Sequence, residues 1–371
     1  MKKNLKLIQN NLVELLENKK ILITGGAGFI GGTLIRRLLK KSEAKIYNLD
    51  KLTYCSDLQS INQLLKNSKN KNNRYSFYKI DLFNQKELLE IICNIKPDII
   101  MHLAAESHVD RSIDNADLFL KSNVIGTYNL LEAVKKYYSS LKNEKKNKFI
   151  FHHISTDEVF GTLGDSGKFN EETNYNPRSP YSATKASSDH LVRSWYHTFN
   201  LPIIITNCSN NFGPWQFPEK LIPLVIRKAI LKEKIPIYGD GLNIRDWLFV
   251  EDHIDALLLV IIFGNAGETY CVGGGEEKTN IDIVKKICKY LDLKLNPTNS
   301  YLTQIDYVAD RPGHDYRYSI DSSLIKKNLG WIPEHNFDTA LFKTIDWYIN
   351  NQNWCEKKIK DSGYQLERIG N

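Results

Sequence analysis

No stretch of this 371-residue chain is apolar for long enough to cross a bilayer: runs such as 256–263 fall far short of the about 20 residues that a spanning helix needs. Residues 1–20 have no signal-peptide core either, so a cytoplasmic protein with no membrane partner is expected. Cysteine is present, but not in metal or disulfide patterns. Cys55, Cys93, Cys208, Cys271, Cys288 and Cys355 form no C-x-x-C pair, and none sits beside histidine at zinc-ligand spacing, so free thiols and no metal are expected. Internal repeats are absent, and low complexity is confined to two Lys/Asn-rich stretches near 66–71 and 142–148. The basic excess is only +7, from 50 Lys and Arg against 43 Asp and Glu, and it is dispersed. Nucleic-acid contact needs basic residues gathered on one face, so no nucleic-acid partner is expected. A modest positive field would still draw in an anionic substrate.

With 25% charged and 42% hydrophobic residues the composition is that of a globular protein, and 11% aromatics suit ligand pockets. The length favours two domains, at about 150 residues each. Residues 1–19 form an extension in which Leu5, Ile8, Leu12 and Leu15 recur at helical spacing. Glu14, Glu17 and the lack of aromatics there favour a helix docked on the protein over a membrane anchor. From Lys20 onward, short apolar runs alternate with longer amphipathic ones, the signature of βαβ units. Strands are predicted at 20–24, 45–49, 75–80, 98–103, 149–155 and 201–208, with long helices over 117–141 and 180–199. Continuous apolar strands separated by helices imply a parallel sheet covered on both faces. After Cys208 the rhythm breaks at Asn210, Gly213, Pro214, Pro218 and Pro223. The predicted fold is α/β: a doubly wound, Rossmann-type parallel sheet over 20–211. A smaller, irregular α/β substrate domain follows over 212–371, with a return to the sheet near 268–272.

Thr24-Gly25-Gly26-Ala27-Gly28-Phe29-Ile30-Gly31 follows the first strand and opens a helix, its glycines spaced G-x-x-G-x-x-G. Such a turn needs φ freedom, lets backbone approach a pyrophosphate, and offers the unpaired N–H groups of a helix N-terminus to the anion. Asp50 closes the second strand, where a carboxylate accepts hydrogen bonds from ribose hydroxyls and repels a 2′-phosphate. NAD is therefore preferred to NADP, although Lys51 next door could tolerate phosphate. Asp81, just past the third strand, is placed either to meet the adenine or to cap a helix.

Tyr181 and Lys185 stand four apart in a predicted helix, hence on one face. An ammonium near a phenol stabilises the phenolate and lowers a pKa that starts near about 10. A phenolate can take the proton of an alcohol as hydride leaves for a nicotinamide. Thr156-Asp157-Glu158 follows the fifth strand. In a turn or first helical turn adjacent acids diverge by only about 100°, so both can border one pocket. Two neighbouring carboxylates push their pKa values apart, leaving one acid and one base. Capping of a short helix is the other role open to them.

These motifs are joined by Leu103-Ala104-Ala105-Glu106-Ser107-His108-Val109-Asp110, Asn207-Cys208-Ser209-Asn210-Asn211-Phe212-Gly213-Pro214, Pro218-Glu219-Lys220-Leu221-Ile222-Pro223, Arg245-Asp246-Trp247-Leu248 and Asp310-Arg311-Pro312-Gly313-His314-Asp315. Together they resemble the extended short-chain dehydrogenase/reductase family, and within it the nucleotide-sugar dehydratases, from Lys20 to about Trp347. The resemblance implies a lyase that uses NAD to oxidise C4 of a nucleotide-linked hexose, loses water across C5 and C6, and returns the hydride to C6. It implies dTDP-glucose as substrate, with UDP-glucose as the alternative. Tyr181 would take the 4-hydroxyl proton, with Lys185 on the ribose and Thr156 on the C4 oxygen. Glu158 would take the C5 proton, and Asp157 would protonate the departing C6 hydroxyl. For the cofactor the resemblance implies Gly25, Gly28, Phe29, Ile30, Gly31, Asp50, Lys51, Thr53, Asp81, Leu82, Leu103, Ala104, Ala105, Ser122 and Asn211, with Tyr181 and Lys185. For the nucleotide-diphosphate hexose it implies Ser107, His108, Thr156, Asn210, Lys220, Leu221, Pro236, Tyr238, Arg245, Asp310, Arg311 and His314. Arg and Lys suit a diphosphate, which needs charge-assisted hydrogen bonds.

Asp157 beside Glu158 is the discriminating feature. Related epimerases need no acid–base couple for water loss, and related decarboxylases and GDP-mannose dehydratases usually lack the aspartate. A non-catalytic NAD-sensing protein would have a broken Tyr–Lys pair or a missing acid, and neither is missing. The resemblance further implies a homodimer through helices near 117–141 and 180–199. Phe160, Phe212, Thr184 and Trp215 depart from the usual pattern, and Trp215 is expected to alter the rim of the pocket.

Overall fold

The computed structural model describes residues 14–66 and 73–363. Leu5, Ile8 and Leu12 of the predicted extra helix, and most of the 66–71 stretch, lie outside them. Just inside, Leu16 is buried and Leu15 half-buried against the first core.

The chain alternates β1 (Lys20–Thr24), α1 (Phe29–Lys41), β2 (Lys45–Asp50), α2 (Gln59–Lys66), β3 (Tyr75–Lys79), α3 (Gln85–Ile95) and β4 (Ile99–His102). The helices α4 (Val109–Asp114) and α5 (Gly126–Ser140) precede β5 (Ile150–Thr156), and α6 (Pro180–Phe199) links it to β6 (Ile203–Cys208). Next come β7 (Asn210–Phe212), α7 (Leu221–Ile230), β8 (Ile235–Tyr238), β9 (Ile244–Phe249), α8 (Val250–Phe263) and β10 (Thr269–Val272). The remaining elements are β11 (Glu277–Thr279), α9 (Asn280–Leu295), β12 (Ile305–Val308), α10 (Ser323–Leu329), α11 (Phe337–Asn350) and α12 (Gln352–Ser362).

Seven parallel strands lie in the order β10-β6-β5-β4-β1-β2-β3. Side chains of a strand alternate between faces, and each face of this sheet has its own core. Ile21 and Ile23 of β1 join Leu34 and Leu38 of α1 and Leu257 of α8 on one side. Leu22 joins Ile92 of α3, Leu130 and Val134 of α5 and Val192 of α6 on the other. The return to this sheet is longer than 268–272, because α8 already covers the face that α1 covers before β10 pairs with β6. Two small sheets, β11-β9-β7 and β12-β8, stand apart; Phe212, Ile226, Ile287 and Ile345 share a further core there. The strand order reverses between β1 and β4, and ligands of open α/β sheets bind outside the carboxyl ends of the strands at such a switch point.

The helix predicted over 117–141 is interrupted. A π-helical turn, Leu120–Ile125, precedes α5. The wider turn accompanies an inward Asn123, whose side chain bonds the backbone N–H and C=O of Glu106 (2.8 and 3.0 Å) and Thr184 Oγ1 (3.0 Å). Such turns are frequent at functional sites.

Candidate active site

At the switch point lies a cavity of about 310 Å³. Gly25 sits at φ +71, and a Cβ there would stand 2.7 Å from the Ala104 backbone. A Cβ on Gly31 would stand 2.3 Å from the Gly25 carbonyl oxygen. Only glycine lets the turn, α1 and the exit of β4 approach this closely. Gly28 precedes α1 with no side-chain cap, so the first N–H groups of the helix are left for an anion. Gly25, Gly28, Phe29, Ile30, Gly31, Asp50, Lys51, Thr53, Asp81, Leu82, Leu103, Ala104, Ala105, Ser122, Tyr181, Lys185 and Asn211 all line this cavity.

Asp50 accepts from Ala27 N (3.0 Å), Leu52 N (2.8 Å) and Ser56 Oγ (3.2 Å). A carboxylate has about four acceptor sites, so one stays open to a ribose hydroxyl. Lys51 donates to Ser122 Oγ at 2.7 Å and pairs with Glu106 at 3.3 Å, so its charge is engaged inside the protein rather than kept for a 2′-phosphate. Asp81 accepts from Phe83 N, while Asn84 caps α3; the capping role falls to Asn84 and Asp81 forms cavity wall.

The strand β5 ends in Thr156, whose Oγ1 accepts from Glu158 N (3.3 Å) and donates to Asp157 Oδ1 (3.2 Å). Thr156, rather than either acid, thus caps the 3₁₀ turn Asp157–Phe160. With three residues per turn, neighbouring side chains there diverge by about 120°. Asp157 is only 1% exposed, and its Oδ2 has no partner. Burial, with Glu158 and Asp246 nearby, pushes its carboxyl well above the ordinary range. Burial raises Glu158 as well, but Arg311, Lys220 and Arg245 pull it back. Both carboxyls are raised, Asp157 the further, so Asp157 keeps a proton more readily than Glu158 does.

Pro180 and a capping box of Ser179 and Ser182 set the start of α6, which presents Tyr181 to Thr156. The phenol is not lowered, as its spacing from Lys185 predicts, but pushed well above its ordinary value by burial first and Glu158 second. Lys185 is buried too; its Nζ donates to the Ile154 carbonyl at 2.9 Å, and desolvation lowers its pKa. Withdrawing a phenolate from water outweighs an ammonium whose proton is engaged by backbone. One further turn along α6, Asp189 accepts from His153 Nε2 (3.0 Å), Ser155 Oγ (2.7 Å) and Tyr175 OH (2.8 Å) and supplies a counter-charge to Lys185.

A second cavity, of about 180 Å³, adjoins the first; Glu158, Asn210, Asn211, Glu219 and Lys220 line both. Its walls also include His108, Leu221, Tyr238, Arg245, Arg311 and His314. Lys220 Nζ donates to the Ser107 carbonyl (2.8 Å) and Arg311 to Asp110 Oδ1 (3.1 Å). Arg245 donates to the Asp315 carbonyl (2.9 Å) and lies 4.3 Å over the Tyr318 ring. Arg311 Nε, a donor, and Asn210 Oδ1, an acceptor, are buried without partners, which fits a ligand carrying both an anionic group and hydroxyl or N–H donors. His108 and His314 stay neutral, lowered to about 3 and about 4 by burial and neighbouring cations.

Two expected residues line neither cavity. Pro236 lies within β8 opposite Asp306 of β12, and Asp310 is taken up by Arg311 N (2.8 Å) and His314 Nδ1 (2.6 Å). Ser107 and Thr156 border the first cavity rather than the second. Trp215 is away from the rim as well, packed on Trp347, Trp354 and Arg36. Asp110, Glu219, Trp247 and Tyr318 line the second cavity without having been expected there. Asp189 could have been found, since it continues the four-residue spacing of Tyr181 and Lys185.

The family model described as GDP-mannose 4,6 dehydratase matches residues 22–344. The chain belongs to this dehydratase family. Among curated relatives, the dTDP-glucose 4,6-dehydratase of Neisseria meningitidis serogroup B is 49% identical over 358 residues, which cover 95% of this dehydratase-family chain and 99% of the relative. A crystal structure of dTDP-glucose 4,6-dehydratase from Bacillus anthracis in complex with NAD superposes with a TM-score of 0.79 at 40% identity, covering 92% of this chain and 99% of that one. The Streptomyces venezuelae dTDP-glucose 4,6-dehydratase, crystallised with NAD and a second ligand, superposes with a TM-score of 0.82 at 37% identity, covering 91% and 99%.

Proposed function

We propose that this protein is a dTDP-glucose 4,6-dehydratase, an NAD-dependent hydro-lyase that forms dTDP-4-keto-6-deoxy-glucose and water. One observation carries the proposal: buried Asp157 and half-buried Glu158 are adjacent on the wall of the first cavity, Asp157 raised the further, and Glu158 also lines the cation-walled second one. Relatives sharing about half of its residues bear that activity, and structural neighbours hold NAD. UDP-glucose is the alternative substrate, since the nucleobase is remote from the reacting carbons.

The glycine turn, the open acceptor on Asp50 and the engaged Lys51 fit NAD. When bound, NAD would supply an acceptor for hydride from C4 and a donor of hydride to C6. As the phenolate, with Lys185 opposing Glu158, the Tyr181 oxygen takes the 4-hydroxyl proton. A ketone at C4 makes the C5 proton acidic, and Glu158 removes it. Asp157 protonates the C6 hydroxyl, which leaves as water, and Glu158 then returns its proton to C5. One proton remains on Tyr181 and one is missing from Asp157; Thr156 Oγ1, bonded to both, passes it across. Lys220, Arg245 and Arg311 hold the diphosphate, while Asn210, Tyr238, Leu221 and His314 shape the rest of the substrate site.

In this account residues 20–211, with the β10 return, hold the cofactor, and residues from 212 hold the substrate. The exposed Leu120, Ile125, Tyr128 and Phe199 support a homodimer through the 117–141 and 180–199 segments. Among the described residues no helix is long and apolar enough to cross a membrane. The protein works in the cytoplasm, and its product feeds deoxysugar synthesis, rhamnose included. Incubation with dTDP-glucose or UDP-glucose in deuterated water is expected to place deuterium at C5 of a 4-keto-6-deoxy product. Retention of the C6 oxygen with both sugars would refute the proposal.

A further inference from the structure

A reaction that lends hydride to its cofactor and takes it back fails if the cofactor leaves between the two transfers. The glycine turn supplies part of that retention, and other segments of the cavity wall can add to it. Segment 51–57, between β2 and α2, contributes Lys51, Thr53, Cys55 and Ser56 to the wall of the first cavity. Locally it is a turn, with Ser56 N bonded to the Thr53 carbonyl and Leu52 N and Ser56 Oγ to Asp50; Leu52 sits at φ +60, a conformation that disfavours a side chain with Cβ, and the segment pairs with no strand.

Further anchors come from far along the chain. The Tyr54 hydroxyl bonds both oxygens of Glu219, at 2.8 and 2.9 Å, beneath the Arg111 guanidinium 3.8 Å over its ring. Phe217 packs edge-on against the same ring at 5.4 Å. At the other end, Asp57 accepts from Trp354 Nε1 at 3.3 Å and pairs with Lys358 at 2.9 Å, and Lys358 also donates to the Ser56 carbonyl at 2.9 Å. Trp354 and Lys358 both belong to α12, which lines neither main cavity. Asp57 N donates to the Ala27 carbonyl at 2.7 Å, so these anchors reach the glycine turn through one residue. Charge-assisted bonds of this kind are stronger than neutral ones, and here their carboxylates, Asp57 and Glu219, are buried.

We propose that segment 51–57 is a clasp that retains the cofactor, fastened by Glu219 through Tyr54 and by Trp354 and Lys358 of α12 through Asp57. Residues from outside the seven-stranded sheet then set how slowly the cofactor leaves. The inference rests on the first cavity being the NAD site. Tyr54, Asp57, Trp354 and Lys358 are positioning residues, since they act on the cofactor only through the wall they hold.

The test is exchange of bound NAD against isotopically labelled NAD in the purified full-length holoprotein, followed by mass spectrometry of the bound fraction. The combined Tyr54→Phe and Lys358→Ala variant is expected to exchange at least about ten-fold faster than the unaltered protein, each single variant supplying part of the gain. Lys286→Ala, which breaks the ion pair with Asp338 between α9 and α11, is expected to exchange at the unaltered rate. A combined variant within about two-fold of the unaltered rate, or an equal acceleration in Lys286→Ala, would overturn the clasp. An unaltered protein that neither carries nor takes up NAD would instead overturn the assignment of the cavity.

Discussion

The two cavities of this dehydratase-family chain are built by opposite means. The first is walled by backbone and small residues, with Gly25, Gly28 and Gly31 in one turn and Ala104 and Ala105 after β4. The second is walled by long cations, Lys220, Arg245 and Arg311, from three separated segments, each steadied by a carbonyl or a carboxylate. A site made of backbone depends on close approach, so one added methyl group disrupts the whole of it. A site made of side chains loses affinity by increments, one charge at a time. Between them stand Asp157 and Glu158, where a change should stop chemistry without emptying either cavity.

Substitutions can break that comparison. The largest effect is expected at the junction: Asp157→Asn should lower turnover by about 10²–10⁴, in line with the loss of a general acid. Oxidation should persist, so absorbance of reduced cofactor should accumulate in a single-turnover trace; normal turnover would remove Asp157 from the acid's role. Gly31→Ala comes next. Its methyl group would meet the Gly25 carbonyl oxygen at 2.3 Å, and overpacking of this kind costs about 1–3 kcal/mol. Thermal midpoint and NAD per purified chain should fall together, and full NAD content would contradict the cradle. Arg311→Gln should raise the KM for dTDP-glucose by about ten-fold or more, from the loss of a charged hydrogen bond worth about 1.5–3 kcal/mol, with NAD content unchanged.

A smaller effect sharpens the contrast from the side of stability. His152 lies fully buried in β5, its Nε2 3.0 Å from Thr206 Oγ1, and burial lowers it to about 3 from an ordinary 6.5. Below pH 6.5 the unfolded chain binds this proton and the folded chain does not, so the stability His152 contributes is present above that pH and lost on acidification. Relative to His152→Gln, the unaltered protein should lose about 1.4 kcal/mol for each pH unit between about 6.5 and 4. Parallel denaturation curves for the two across that range would contradict the assignment. The smallest effect belongs to Pro236→Ala, which lies outside both cavities and should leave kcat and KM within about two-fold, as steady-state kinetics would show.

The same contrast explains what could be read before any coordinates. The parallel sheet, the glycine turn and the Asp157–Glu158 and Tyr181–Lys185 pairs are local patterns, because strand period, turn chemistry and helix spacing act over a few residues. The π-helical turn at Leu120–Ile125 carries no such signature and is visible only as the inward reach of Asn123 to Glu106 and Thr184. The direction of the Tyr181 shift was equally hidden, since spacing shows that Lys185 shares its face but not that both groups are withdrawn from water. Pro236 and Asp310, expected at the substrate site, serve other tasks, one in a strand and one on His314. Glu219 serves both cavities and the Tyr54 contact, a role that depends on a partner 165 positions away.

The central claim is that hydride leaves one carbon of the sugar and returns to another carbon of the same molecule. The direct measurement uses dTDP-glucose carrying deuterium at C4, mixed with unlabelled substrate, and locates the label in the product by NMR and mass spectrometry. The account predicts deuterium in the C6 methyl group of the molecules that began labelled. Label washed into solvent, or carried off on released cofactor, would contradict it.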